Sequence, residues 1–117
     1  MAKITFSIRR GRVLIHKSTL RELGWPSFVR FLVNRRDRKV AVQACEAIDR
    51  DSYKIGGFVV SENQCEISSC NFLRIVYQLC DWEEGLNYRL EGNTYKRNRL
   101  VEFDLYQAEV VGDCYDE

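Results

Sequence analysis

The stretch RRGRVLIHKSTLRELG, residues 9–24, carries the main clue to the fold. It opens with a basic turn, Arg9-Arg10-Gly11-Arg12, and passes into a short apolar run, Val13-Leu14-Ile15, that reads as a strand. Ser18 or Thr19 is placed to start a helix and Gly24 to stop it. Thr19 and Glu22 stand three apart, the spacing of a capping box, in which two orphan backbone donors are satisfied reciprocally. Leu20 and Leu23 supply the buried stripe of that short helix.

Upstream, residues 3–8 alternate, with Ile4, Phe6 and Ile8 on one face and Lys3, Thr5 and Ser7 on the other, the pattern of a half-buried strand. The turn at Arg10-Gly11 folds this strand onto the next as a hairpin, with Gly11 at positive φ. Downstream, Trp25-Pro26 ends the helix, because the residue before proline is pushed out of the helical region. Residues 28–33 form a third strand and residues 39–44 a fourth, joined by the polar turn Asn34-Arg35-Arg36-Asp37-Arg38.

The acidic segment 45–52 is the expected connector, and the same order then recurs. Residues 53–60 read as a strand with a kink at Gly56-Gly57. Ser61-Glu62-Asn63 turns the chain into a strand at 64–67. A longer helix runs from Ser68 or Ser69 to about Cys80, with Phe72, Ile75, Val76 and Leu79 as its apolar stripe. Residues 86–91 and 100–111 are strands joined by a polar loop at 92–99, and the last residues, 112–117, read as a frayed tail. A shift of 52 positions lays Ile15 on Ile67, Leu20 on Phe72 and Leu23 on Ile75. The expected fold is therefore α+β: one domain of two ββαββ units, residues 1–45 and 53–112, packed around a pseudo-two-fold axis with a shared core.

Composition agrees with a folded domain. The 117 residues are 45% hydrophobic and 12% aromatic, enough to bury a core. No apolar run approaches the roughly 20 residues needed to cross a bilayer, and the N-terminus lacks the apolar core of a secretory signal. A soluble cytoplasmic protein is expected. The five cysteines are odd in number and contain no CxxC pair, so reduced thiols are expected rather than a disulfide framework.

The net charge of +1 hides a division. Residues 1–44 carry 11 Lys/Arg against 2 Asp/Glu, a balance of +9, and residues 45–117 carry 7 against 15, a balance of −8. Such a split suits an anionic partner for the first half, or attraction between halves or between molecules.

Catalytic patterns are scarce. His16 is the only histidine, and Ser18 shares a strand face with it, but no GxSxG elbow is present and no third group orients the imidazole. The carboxylates show no cage spacing, Gly56-Gly57 opens no phosphate loop, and Cys70 and Cys80 have only Arg74 as a local cation. No catalytic residue, metal or cofactor is expected, and the chain does not read as an enzyme. The basic residues remain. Arg9, Arg10 and Arg12 crowd one turn, Lys17 and Arg21 flank the helix, and Arg35, Arg36 and Arg38 crowd a second turn. Forked guanidinium donors match phosphate oxygens, and neutralising several phosphates releases counterions.

At GRVLIHKSTLRELG, residues 11–24, the chain resembles the AbrB/SpoVT-like swapped-hairpin transcription factors and the MazE-type antitoxins. Gly11-Arg12-Val13-Leu14-Ile15 matches their strand, Leu20-Arg21-Glu22-Leu23-Gly24 their short helix, and residues 28–44 the hairpin that follows. His16 stands where those proteins usually have proline, and Trp25-Pro26-Ser27 replaces a glycine-containing loop. That family normally dimerises to complete its fold, and here a second unit of the same chain stands in for the partner. The resemblance implies DNA binding through Arg9, Arg10, Arg12, Lys17 and Arg21. The expected function is a small DNA-binding transcriptional regulator gripping duplex phosphates. The alternative is a protein-interaction module, antitoxin-like or self-associating as a homodimer, whose acidic second half meets a basic protein.

Overall fold

The computed structural model describes residues 1–47, 51–55 and 64–113. The chain begins with a hairpin, β1 (Lys3–Ser7) and β2 (Arg12–His16), followed by α1 (Lys17–Glu22). A second hairpin follows, β3 (Phe28–Asn34) and β4 (Lys39–Cys45), and then the short strands β5 (Tyr53–Lys54) and β6 (Gln64–Ser68). After α2 (Cys70–Cys80) come β7 (Leu86–Tyr95), β8 (Leu100–Asp104) and β9 (Glu109–Asp113).

These strands do not assemble into two ββαββ units about a pseudo-two-fold axis. They form one antiparallel, nearly closed, barrel-like sheet in the order β5-β3-β4-β8-β7-β1-β2-β6, with β9 added on β7 and, among the described residues, only two α-helices. The physical reason is that the hairpins find their partners across the chain. β1 pairs with β7 and β2 with β6, while β3 pairs with β5 and β4 with β8. A ββαββ segment alone would leave both edges of its hairpins open, and here the other half of the chain fills them.

Alternation sets which face is inside. Ile4, Phe6, Val13, Ile15, Val29, Val42, Val101 and Phe103 are all 0% exposed and line the barrel interior. They also meet across the ladders, Ile4 opposite Ile15, Phe6 opposite Val13 and Val42 opposite Val101. Each such side chain contributes about 1.5–3 kcal/mol by leaving water. Of the polar loop expected at 92–99, residues 92–95 are instead the far end of β7, which bends at Gly92, and residues 96–99 form the turn into β8. Before Gly92 β7 pairs with β1, and after it with β8. A Cβ at Gly92 would come within 2.6 Å of Val101 Cγ1 and 2.7 Å of Phe103 Cε1, so only glycine lets the strand pass.

Each helix covers one mouth of the barrel. α2 buries Phe72, Leu73, Val76 and Tyr77, so its stripe is turned from the expected one and leaves Ile75 and Leu79 half-covered. Phe72 stacks on Phe31 at 4.5 Å, and Tyr77 donates its hydroxyl to the Leu86 carbonyl at 2.7 Å. At the other mouth α1 buries Leu20 and Leu23. The capping box does not form: α1 starts at Lys17 with His16 as N-cap, and Thr19 lies inside the helix. Its hydroxyl is spent on β1 instead, accepting from Lys3 N at 2.9 Å and donating to Lys3 O at 2.6 Å.

Gly11 is at φ +66° in the β1–β2 turn, where its N–H donates to the Ile8 carbonyl at 3.0 Å. The connector expected at 45–52 starts inside β4, which ends at Cys45, and residues 48–50 of it fall outside the described residues. The Gly56-Gly57 kink, the turn at 61–63 and the end of the tail also lie outside them. Among the described residues, no helix is long and apolar enough to cross a membrane.

Candidate nucleic-acid interface

Antiparallel pairing fixes which end of the barrel each basic residue occupies. β1 and β3 run the same way through the antiparallel series β1-β7-β8-β4-β3, so the β1–β2 and β3–β4 turns leave the sheet toward one end, where α2 begins beside Gly11. That end therefore carries Arg9, Arg10, Arg12, Arg35, Arg36 and Arg38. Two contacts tie the turns to it: Ile8 N donates to the Tyr77 hydroxyl at 3.4 Å, and Leu105 N donates to the Arg38 carbonyl at 3.0 Å.

Lys17 and Arg21 are elsewhere. They follow β2, whose five residues span about 16 Å, so they emerge at the opposite mouth. The eight basic residues picked from the sequence thus divide six to two between the ends. They do not form one surface.

The six arginines are not equivalent. Arg9, Arg10, Arg35 and Arg36 are exposed. Arg12 is held against the sheet: its Nη1 donates to Ser68 Oγ, and its Nε lies 3.8 Å from Glu66 Oε2. Arg38 places its guanidinium 5.4 Å from the centre of the Tyr106 ring. The β3–β4 turn is braced locally, with Asp37 N donating to Asn34 Oδ1 at 3.0 Å. Asp81, Glu83 and Glu84 share this end on the segment between α2 and β7, so its charge is mixed.

The opposite mouth holds cations that a count by halves conceals. Lys96, Arg97 and Arg99 belong to the acidic half of the sequence, yet the β7–β8 turn carries them to this mouth. Ala44 N donates to the Arg99 carbonyl at 2.9 Å, and Arg99 Nη2 donates to the Leu23 carbonyl at 3.4 Å. The sequence signal was present in Lys96-Arg97-Asn98-Arg99, a basic turn of the same kind as the other two.

His16 turns to Thr5 across the hairpin, with Nε2 2.9 Å from Thr5 Oγ1. Arg89 Nε donates to the same hydroxyl at 3.4 Å. The hydroxyl can then give its own proton to Nε2, which suits a neutral imidazole. Burial first, then Arg89 and Lys3, lower the His16 pKa to about 4. Burial pushes the Cys65 and Cys80 thiols up, with Glu66 adding to the first and Arg38 opposing the second. Cys45, Cys65, Cys70 and Cys80 are free thiols.

Compared with known proteins, the chain matches no family model, no curated protein and no solved structure.

Proposed function

We propose that the protein is a small DNA-binding regulator that holds duplex phosphates with the arginine-bearing end of its barrel. The observation that carries this reading is that the two arginine-rich turns, from separate hairpins, leave the sheet at the same end. Arg9, Arg10, Arg35 and Arg36 are the contact residues. Arg12 and Arg38 brace the turns through Ser68, Glu66 and Tyr106. The resemblance of residues 11–24 to swapped-hairpin factors supports it, as does the way the first-half hairpins complete their sheet with second-half strands.

The test is the salt dependence of duplex binding. Each neutralised phosphate contributes about −0.9 to the slope of log K against log salt. Replacing Arg9 and Arg10 by alanine, or Arg35 and Arg36, should flatten that slope by about 2. Replacing Lys96 and Arg97, at the far end, should leave it unchanged. Equal slopes in all three variants and the parent would remove the reading.

A protein-interaction role has one observation in its favour. Among the described residues β9 pairs only with β7, and its Val110 (54%) and Val111 (36%) are exposed. An apolar edge strand can extend its sheet into another chain. Gel filtration of Val110→Lys against the parent separates this role: a dimer present only in the parent favours it.

A further inference from the structure

Lys17 and Arg21 have no place in the contact set above, yet they are not scattered. With Met1, Lys3, His16 and Ser18 they line a shallow, widely open depression of about 450 Å³ at the α1 mouth. Three of its six lining residues are cationic, and no carboxylate lines it. Glu91 is cross-strand from Lys3 and Glu22 is exposed on α1, and neither is among the lining residues. The arrangement is electrostatically costly. Lys17 and Arg21 are four apart on one helix, where like charges repel, and Lys3 faces them from β1.

We propose that this depression is a binding site for a phosphate-class oxyanion, held by Lys3, Lys17 and Arg21 with the Ser18 hydroxyl as a further donor. A surface lined by one sign of charge concentrates the opposite ion beside it. Lysine ammonium and arginine guanidinium both make shorter, stronger bonds to anionic oxygen than to neutral acceptors. The site is separate from the arginine-bearing end, so it can be filled or empty while a duplex is bound there. His16 reports on it from within: the groups facing the ring are Thr5, Lys3, Arg89 and, across β2–β6, Gln64. Its depressed basicity reflects burial first and then the charges of Arg89 and Lys3, and a bound anion would offset the second of these.

Two sources supply such a group, a free phosphate or nucleotide and the backbone of a nucleic acid. The experiment follows the His16 ring resonances by NMR while pyrophosphate is added to the intact protein, with a short DNA duplex as the second arm. Saturable shifts at a Kd of about 1 mM or below, with the His16 pKa moving up toward 6.5, are expected. In Lys17→Ala/Arg21→Ala the Kd should weaken at least about tenfold, with the fold confirmed by circular dichroism. In Arg9→Ala/Arg10→Ala it should not change, which keeps this site's failure distinct from failure of the duplex contact. Shifts from pyrophosphate alone assign a small free anion, and shifts from the duplex as well assign backbone phosphate. No saturable shift with either, or an equal response in Lys17→Ala/Arg21→Ala, overturns the proposal.

Discussion

Tyr53 and Ser69 face each other between the two ends of the sheet order, their hydroxyl oxygens 2.8 Å apart. Tyr53 sits on β5 and Ser69 follows β6, the two strands at the ends of the sheet order. No ladder joins those strands among the described residues. The hydroxyl pair, with Phe31 stacked on Phe72 just inside it, links the edges where backbone pairing does not. A net hydrogen bond of this kind contributes about 1 kcal/mol. Tyr53→Phe and Ser69→Ala, singly and together, should give a coupling of about that size in urea denaturation. Additive losses would mean that the seam is held by the aromatic stack alone.

The bend in β7 makes a sharper demand. Gly92→Ala sets a methyl against the side chains of Val101 and Phe103, both fully buried, so neither can swing aside. The expected cost is about 3 kcal/mol, the upper range for overpacking a core. Gly85 has nothing within 4 Å of its Cβ position, and Gly85→Ala should stay within about 0.5 kcal/mol of the parent. Equal thermal midpoints for the two variants would show that β7 does not need glycine at its crossing.

His16 gives a pH dependence whose sign follows from its environment. In the unfolded chain the ring protonates near 6.5, and in the folded protein only near about 4. As the pH falls through that window the unfolded state takes up a proton that the folded state refuses, so stability is lost. Above about 6.5 and below about 4 this contribution is flat. His16→Gln removes it while keeping a polar group beside Thr5. The stability gap between parent and variant should therefore narrow or reverse between pH 7 and pH 4.5. Carboxylates that titrate in the same range are common to both proteins and cancel. A constant gap would mean that the ring is as basic when folded as when free.

The sequence made the local structure readable and the assembly only partly so. Ile4, Phe6, Val13 and Ile15 announce an inward strand face by alternation, and the structure buries all four. Thr19 and Glu22 show where local reasoning stops. Their spacing is that of a cap, but β1 lies close enough to claim the Thr19 hydroxyl, and a tertiary bond displaces the local one. Gly92 misleads similarly: glycine in a polar segment suggests a loop, whereas its real reason is Phe103, found only once β8 folds back. Which hairpin pairs with which is a long-range choice that periodicity does not encode. The candidate site suffered most from this, because Arg9 and Arg21 are close in sequence yet lie at opposite ends, and Arg99 is remote in sequence yet donates to Leu23 at the end of α1.

The cation-lined depression predicts a conflict between stability and binding. Lys17 stands at the first position of α1, whose first turn holds no acidic residue, and four residues before Arg21. Lys17→Glu would turn an i,i+4 repulsion into an attraction in its better orientation, acid before base. It would also place a negative charge at the positive end of the helix. Together these should stabilise the protein by about 0.5–1 kcal/mol at low ionic strength. About 1 M salt shortens the screening length to about 3 Å, so most of the gain should vanish there. The same change should abolish pyrophosphate binding at the depression. Urea midpoints at the two salt concentrations check the first part, and the His16 resonances check the second. A variant that is less stable at low salt, or equally stabilised at both, would show that Lys17 is not held against a repulsive field.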